Sequence, residues 1–310
     1  MWLLLFNNNN MGWKTVIVGS ECVVSVSLNR MKISIGEEFQ TIPLSDIDTV
    51  IFSHNRVVIT IPLLAELVDN NINVVICDKK NDPVGVFNAF NGHSLAFKQL
   101  NKQINWKITR KKKLWKSIVE QKIQSEIDAL KHLKKDDNAI KSLISYKESV
   151  YTDDQTNREG VSARVYFQNM FGKDFSRDDD SVINYALNYG YKILASYLSK
   201  CIVSRGMLTQ LGVHHIGESN PFNLTYDFIE PLRVIIDIWV LTHITDSFDT
   251  SDKLELVDIL NIRVNLSDKW IRLGDAIEDI VDSYISYMNE ETNKILNINV
   301  SKGFKESVVR

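Results

Sequence analysis

The chain has 310 residues, 44% of them hydrophobic and 24% charged, a balance that belongs to a globular protein with room for two domains of ordinary size. No apolar run approaches the roughly 20 residues of a membrane span, which points to the cytoplasm. Cys22, Cys77 and Cys201 stand far apart and in no C-x-x-C pair, which argues against a disulfide framework or a thiolate zinc cluster. A formal charge of −3 excludes indiscriminate coating of nucleic acid but leaves room for a local basic patch.

Residues 1–10, an apolar hexapeptide followed by four asparagines, lack the basic n-region and cleavage site of a secretory signal and are too short to span a bilayer. They read as an extension that is not native, with Met11-Gly12-Trp13 as a natural start. Residues 11–97 form the first expected domain. Short β-branched runs at Thr15–Val18, Val23–Leu28, Met31–Ile35, Thr49–Phe52 and Val74–Cys77 predict strands. Asn29-Arg30, Gly36-Glu37 and Ser53-His54-Asn55 predict turns. Pro62 and the spacing of Leu63, Leu64, Leu67 and Val68 predict one helix over residues 61–70.

Near Phe97 the apolar period changes from two to between three and four, starting with Leu114, Ile118, Ile123, Ile127 and Leu130. The fold class is therefore α+β: a small N-terminal β domain with one helix, a short packed hinge over residues 97–105, and a larger all-α catalytic domain over residues 98–310. The stretch from Asn101 to Lys135 is the most basic in the chain. Its lysines, Lys111 and Lys112 among them, are interleaved with Trp106 and Trp115, which suits a surface that follows phosphates and equally a solvated helix face.

Three segments of the second domain carry candidate chemistry. Glu159 stands in Asn157-Arg158-Glu159-Gly160, His214 and His215 end Gly212-Val213-His214-His215, and Glu230 stands in Asp227-Phe228-Ile229-Glu230-Pro231-Leu232-Arg233. Each has an ordinary explanation: an acid near a helix N-terminus, a hydrogen-bonded histidine, and a D-x-x-E capping box. Two carboxylates and one imidazole together would leave a hard divalent cation with open positions for a phosphate and its attacking oxygen. Asp227 lies three residues before Glu230, and could ligate, orient a ligand or cap.

In this order the segments resemble the signature of the CRISPR-associated spacer-acquisition integrase, the universal first Cas protein of the adaptation module. Between them, Asn184-Tyr185-Ala186-Leu187-Asn188-Tyr189-Gly190-Tyr191 is similar to that family's long central helix. Gly212-Val213-His214-His215 with Asn220-Pro221-Phe222-Asn223-Leu224 resembles the type II members most.

The resemblance implies a metal-dependent DNA endonuclease and integrase that joins the 3′-hydroxyl ends of a foreign duplex to a CRISPR repeat by transesterification. It places Mg2+ or Mn2+ on Glu159, His215 and Glu230, with Asp227 and His214 supporting them. Arg164, Asn184, Asn188, Tyr191 and Arg233 become candidate contacts to nucleic acid, beside Lys111 and Lys112. It also implies a homodimer, double-stranded prespacer and repeat DNA, and a small second adaptation protein. A type II effector nuclease and an end-binding ring protein are its further partners. The alternatives are a branched-DNA nuclease outside immunity and a non-catalytic DNA-binding scaffold.

Overall fold

Hydrophobic alternation in the first hundred residues and helical periodicity in the rest are realised as two compact units in the computed structural model, which describes residues 4–6, 14–80, 82–87 and 94–305. One unit is centred on the chain up to Ser94, the other on Leu95–Ile202 and the chain from Gly206 onward.

The first unit contains strands β1 (Leu4–Phe6), β2 (Lys14–Val18), β3 (Val23–Ser27), β4 (Arg30–Ile35), β5 (Glu38–Pro43), β6 (Ile47–Phe52) and β7 (Val58–Ile59), helix α1 (Ile61–Asp69), and strands β8 (Asn73–Cys77) and β9 (Pro83–Phe87). They form a five-stranded sheet in the order β1-β2-β6-β8-β9 and a four-stranded sheet in the order β5-β4-β3-β7. All five predicted strands and the predicted helix are present. Strands β5, β7 and β9 are additions, because each is short or largely exposed and carries little apolar alternation. Within the segment set apart as an extension, Leu4–Phe6 pairs antiparallel with β2. The remainder of that segment, and the start expected at Met11-Gly12-Trp13, lie outside the described residues.

The β3–β4 hairpin turns at Leu28 and Asn29, both at positive φ (50° and 59°), the backbone of a two-residue turn whose twist matches its strands. Strand β6 is buried along its whole length between parallel neighbours β2 and β8, which is why its sequence lacks alternation. Val16, Val24, Met31, Val50, Leu63, Leu67 and Val74 make the fully buried centre of this unit.

The second unit holds helices α2 (Ala96–Ile104), α3 (Ile108–His132), α4 (Asp137–Glu148), α5 (Arg158–Phe171), α6 (Val182–Ser204), α7 (Asn223–Ile229), α8 (Arg233–His243) and α9 (Thr250–Val257), the hairpin β10 (Arg263–Leu266) and β11 (Lys269–Arg272), and helix α10 (Leu273–Met288). Helix α3 is its axis, packed against α4, α5, α7, α8 and α10. Leu114, Ile118, Val119, Ile123 and Leu130 give α3 a fully buried stripe.

Two features depart from the expected helical layout. The hairpin β10–β11 interrupts it, turning through Ser267 and Asp268 at positive φ (49° and 64°). The stretch expected to be a hinge is mostly helix α2. Its anchor is Gln103, 1% exposed, which donates to the carbonyls of Leu208 and Leu211 and accepts from the Leu208 amide. These partners lie a hundred residues downstream, so no local pattern announces them. Among the described residues no helix is long and apolar enough to cross a membrane.

Candidate active site

Helix α3 carries the floor of the site. Lys111, Trp115, Lys122 and Glu126 recur at intervals of four, seven and four residues, which places them on one face of the helix. Trp115, Lys122 and Glu126 are buried there among apolar neighbours. A lysine and a glutamate in such a stripe need partners, because burying an uncompensated charge costs several kcal/mol, on the order of the whole stability of a domain.

One partner comes from the turn before α5. Asp153, Asp154 and Asn157 all adopt left-handed backbone (φ 69°, 45° and 51°), a conformation that Asp and Asn tolerate best after glycine. The turn caps α5: the Asp154 carboxylate accepts from the amides of Arg158 (2.8 Å) and Glu159 (3.0 Å), and Asn157 accepts from Gly160 (3.2 Å). A side chain at Gly160 would meet the Asn157 amide group at 2.9 Å and push the capping group aside. Glu159 is thereby fixed in the first helical turn, and its Oε1 accepts from Lys122 Nζ at 2.7 Å.

The second partner comes from the junction of α7 and α8. Glu230 opens a single 3-10 turn, Glu230–Leu232, in which Pro231 needs no amide donor. Its Oε2 accepts from Lys122 Nζ at 2.7 Å and its Oε1 pairs with Arg233 Nη2 at 3.0 Å. Glu159 Oε1 and Glu230 Oε2 each lie 2.7 Å from the same ammonium, so they can be no more than twice that distance, 5.4 Å, apart. Residues 71 positions apart in the sequence thus converge on one cation.

Protonation follows from this cluster. Burial pushes Glu230 upward, but Arg233 and Lys122 beside it outweigh burial and hold its carboxyl at about 2. Burial pulls the Lys122 ammonium down, and Glu230 and Glu159 more than restore it, so the lysine stays charged. Glu126 is pushed up to about 8 by burial that Lys122 only partly offsets. Its Oε2 has no hydrogen-bond partner among the described residues.

The histidine loop is organised by Asp227. This residue lies inside α7, not at a helix start, and its side chain is 0% exposed. Its carboxylate accepts from the amides of Val213 (2.5 Å), His214 (3.0 Å) and His215 (3.0 Å), and faces His215 Nδ1 at 2.7 Å. Opposite a carboxylate Nδ1 must donate, which leaves Nε2 as the nitrogen free to accept a ligand. The hydrogen bond to Asp227 raises the His215 pKa against the effect of burial, and Glu230 and Glu159 add to the rise. Gly212 is required by the loop, since a Cβ there would lie 2.2 Å from the His215 carbonyl oxygen and 2.8 Å from the Asp227 carboxylate. A cleft of about 340 Å³, lined by Lys111, Gly212, His215, Glu218 and Asn223, opens beside the loop.

His214 turns away from this carboxylate and stacks on Trp115, ring centroids 4.1 Å apart and planes within 2°. Trp115 meets His215 edge-on at 5.6 Å. His214 Nδ1 is 3.6 Å from Asp153, which also pairs with Lys112 at 3.0 Å.

The candidate nucleic-acid contacts divide. Arg164 is exposed on α5. Lys111 donates to the Gly212 carbonyl at 3.1 Å. Asn184 and Asn188 accept from the two ends of the Arg177 guanidinium (2.5 and 2.6 Å), and Asn184 donates to the carbonyls of Ser176 and Asp179. Tyr191 is buried, donates to Asp237 and lies under the Arg233 guanidinium at 4.7 Å. Asp237 also accepts from Tyr166 at 3.1 Å, and burial, partly offset by both tyrosines, pushes it up to about 6. The sequence places Lys122 and Trp115 in a basic, aromatic stretch suited to a phosphate-following surface, whereas both are buried, and it gives no sign of Asp154. The available signal for Lys122 was a lysine four residues after Ile118, in the line of a buried stripe.

The donor set can be tested against a divalent ion. As they stand, no three His, Cys, Asp or Glu side chains among the described residues form a group able to hold a metal. Two carboxylates nevertheless converge on a cationic nitrogen that stands where a cation would, and the Asp227-tethered imidazole packs edge-on against Trp115, seven residues from Lys122 on the same face of α3. Hard oxygen donors with one imidazole fit Mg2+ or Mn2+ better than zinc.

A family model described as CRISPR associated protein Cas1 matches residues 15–270. The chain belongs to the Cas1 family. It is 30% identical over 294 residues to the CRISPR-associated endonuclease Cas1 of Neisseria meningitidis serogroup C, covering 93% of this chain and 96% of the relative. It is 27% identical over 268 residues to a second such Cas1 endonuclease, from Saccharolobus solfataricus, covering 81% of each. Among solved structures it is similar to a casposase bound to integration product (TM-score 0.74, 21% identity, 94% of each chain). It is also similar to a Cas1 protein from Thermotoga maritima (TM-score 0.71, 16% identity, 88% of this chain and 96% of that one). These Cas1 likenesses agree with the α+β layout read from the sequence.

Proposed function

We propose that this Cas1 chain is a metal-dependent DNA integrase of CRISPR adaptation, with nicking as the outcome when water replaces the DNA hydroxyl. The observation that carries the reading is the convergence of Glu159 and Glu230 on Lys122, with the Asp227-tethered His215 packed against Trp115 on the same face of α3. Glu159, His215 and Glu230 would hold Mg2+ or Mn2+. When bound, such an ion supplies electrostatic stabilisation to the phosphoryl oxygens as the bond exchanges.

The chain's own residues do the rest. Asp227 fixes the His215 tautomer and the loop that bears it. Arg233 holds Glu230 ionised while buried. Asp154 sets the first turn of α5 so that Glu159 reaches the same point. The nucleophile is the DNA 3′-hydroxyl, so no serine or cysteine is required. Arg164, on the exposed face of α5, and Lys111 and Lys112 at the start of α3 are the candidates for phosphate contact.

Relatives support the partners. One solved neighbour is a Cas6-RT-Cas1–Cas2 complex, and another is bound to an integration product. By this reading the chain forms a homodimer that acts with a small second adaptation protein on duplex prespacer and repeat DNA. The test is Mn2+-dependent joining of a 3′-hydroxyl duplex to a supercoiled repeat array. Glu159→Ala should lower joining by roughly three orders of magnitude or more. Full joining by that variant would overturn the assignment.

A further inference from the structure

Lys122 is the one residue of the cluster that the proposed chemistry leaves without a task. It rises from the middle of α3, packed on several sides by helices, and its ammonium bonds both candidate metal ligands at 2.7 Å. The ion-paired groups are two carboxylates, Glu159 and Glu230, and two cations, Lys122 and Arg233. They sum to zero charge. Beside them the Asp227 carboxylate adds one negative charge when His215 is neutral. Side-chain exposure across the cluster is low, 11% for Lys122, 6% for Glu230, 24% for Glu159 and 27% for Arg233, so water screens these charges weakly.

We infer that Lys122 makes divalent-ion binding at Glu159 and Glu230 conditional on bound nucleic acid. Its ammonium already neutralises the carboxylates with Arg233, so an incoming ion is held tightly only when phosphodiester anions supply the missing negative charge. The inference rests on the metal site proposed above and adds its control.

Charge balance sets this condition. A divalent ion entering these four balanced charges would leave positive charge that the Asp227 carboxylate offsets only in part, in a partly desolvated place beside the Lys122 ammonium. Each phosphate of a DNA strand carries one negative charge. A strand laid across the site with its phosphates near the ion would supply the negative charge that is still missing. The free protein would then stay metal-poor and inert toward stray phosphodiesters, and the site would assemble on substrate. By linkage, the ion must tighten DNA binding by the factor by which DNA tightens the ion.

The test is a Mn2+ titration of the full chain, followed by electron paramagnetic resonance of free Mn2+, with and without a 3′-hydroxyl duplex. Wild type should bind Mn2+ at least roughly tenfold tighter with DNA than without. Lys122→Gln, which keeps a hydrogen-bond donor but no charge, should bind Mn2+ without DNA roughly tenfold tighter than wild type, and DNA should then add little. Melting of the Gln variant in chelator, followed by circular dichroism, shows whether it is folded. If it is not, Lys122→Met takes its place in the same titrations, with the duplex alone titrated as the blank. Equal wild-type affinity with and without DNA overturns the inference, as does Mn2+ binding by folded Lys122→Gln no tighter than wild type. Absence of Mn2+ binding in every arm, with DNA still bound, instead overturns the metal-site reading on which the inference stands.

Discussion

The two sides of the site are held by different forces. On one side, Glu159 and Glu230 are gathered by charge: a lysine and an arginine pull them into place, and the same attraction sets their ionisation. On the other side, His215 is placed by backbone, since three consecutive amides and the imidazole all donate to the single carboxylate of Asp227. A charge-held group can exchange one cation for another without refolding. A backbone-held loop has one geometry and loses it whole. The difference suits a site in which the acids meet a variable counter-ion and the histidine must present a fixed nitrogen.

That contrast can be broken most severely at Asp227. Asp227→Ala leaves three amides without their shared acceptor, and at about 1 to 3 kcal/mol for each buried unpaired group the variant should lose several kcal/mol of stability as well as strand transfer. Denaturant unfolding measures the first and the joining assay the second. Asp227→Asn sharpens the comparison. Its oxygen can still accept from the Val213 and His214 amides while its NH2 faces the His215 amide and Nδ1, which favours the imidazole tautomer protonated at Nε2. Metal affinity should fall roughly 10- to 100-fold while the fold survives. A fall in stability as large as that of the alanine variant would show that the carboxylate matters only as a scaffold.

Gly212→Ala probes the same loop without touching a charge. Its Cβ would collide with backbone at 2.2 Å, so the loop must shift at a cost of about 2 to 4 kcal/mol. Thermal melting and Mn2+ affinity should both drop, whereas the ion pairs of Lys122 remain.

The smallest expected effect is a pH dependence on the charge-held side. Glu126, raised from 4.5 to about 8 by burial, keeps in the folded chain a proton that the unfolded chain releases. Its contribution is complete below about 4.5 and is lost as pH rises through 8. In chelator the melting temperature should therefore decline between those limits, and Glu126→Gln should flatten the decline. An unchanged slope in the variant would assign the titration to another group, with Asp237, held at about 6, next in line.

What could be read before folding was whatever the chain writes locally. The β-branched runs at Thr15–Val18 and Val74–Cys77 and the leucine spacing of α1 carry their structure in nearest neighbours. The positions of Glu159, His215 and Glu230 came from motif wording. Hydrophobic periods, turn residues and short motifs are properties of a few consecutive side chains, so one sequence suffices for them. Only the tertiary structure decided that Asp227 serves the loop before it and caps no helix, that Gln103 turns an expected hinge into a helix, and that Lys122 is the cation between two acids. Each of these rests on partners 12 to 108 positions away, and a buried charge or amide is satisfied by whatever the fold brings within 3 Å, not by its neighbours in the chain.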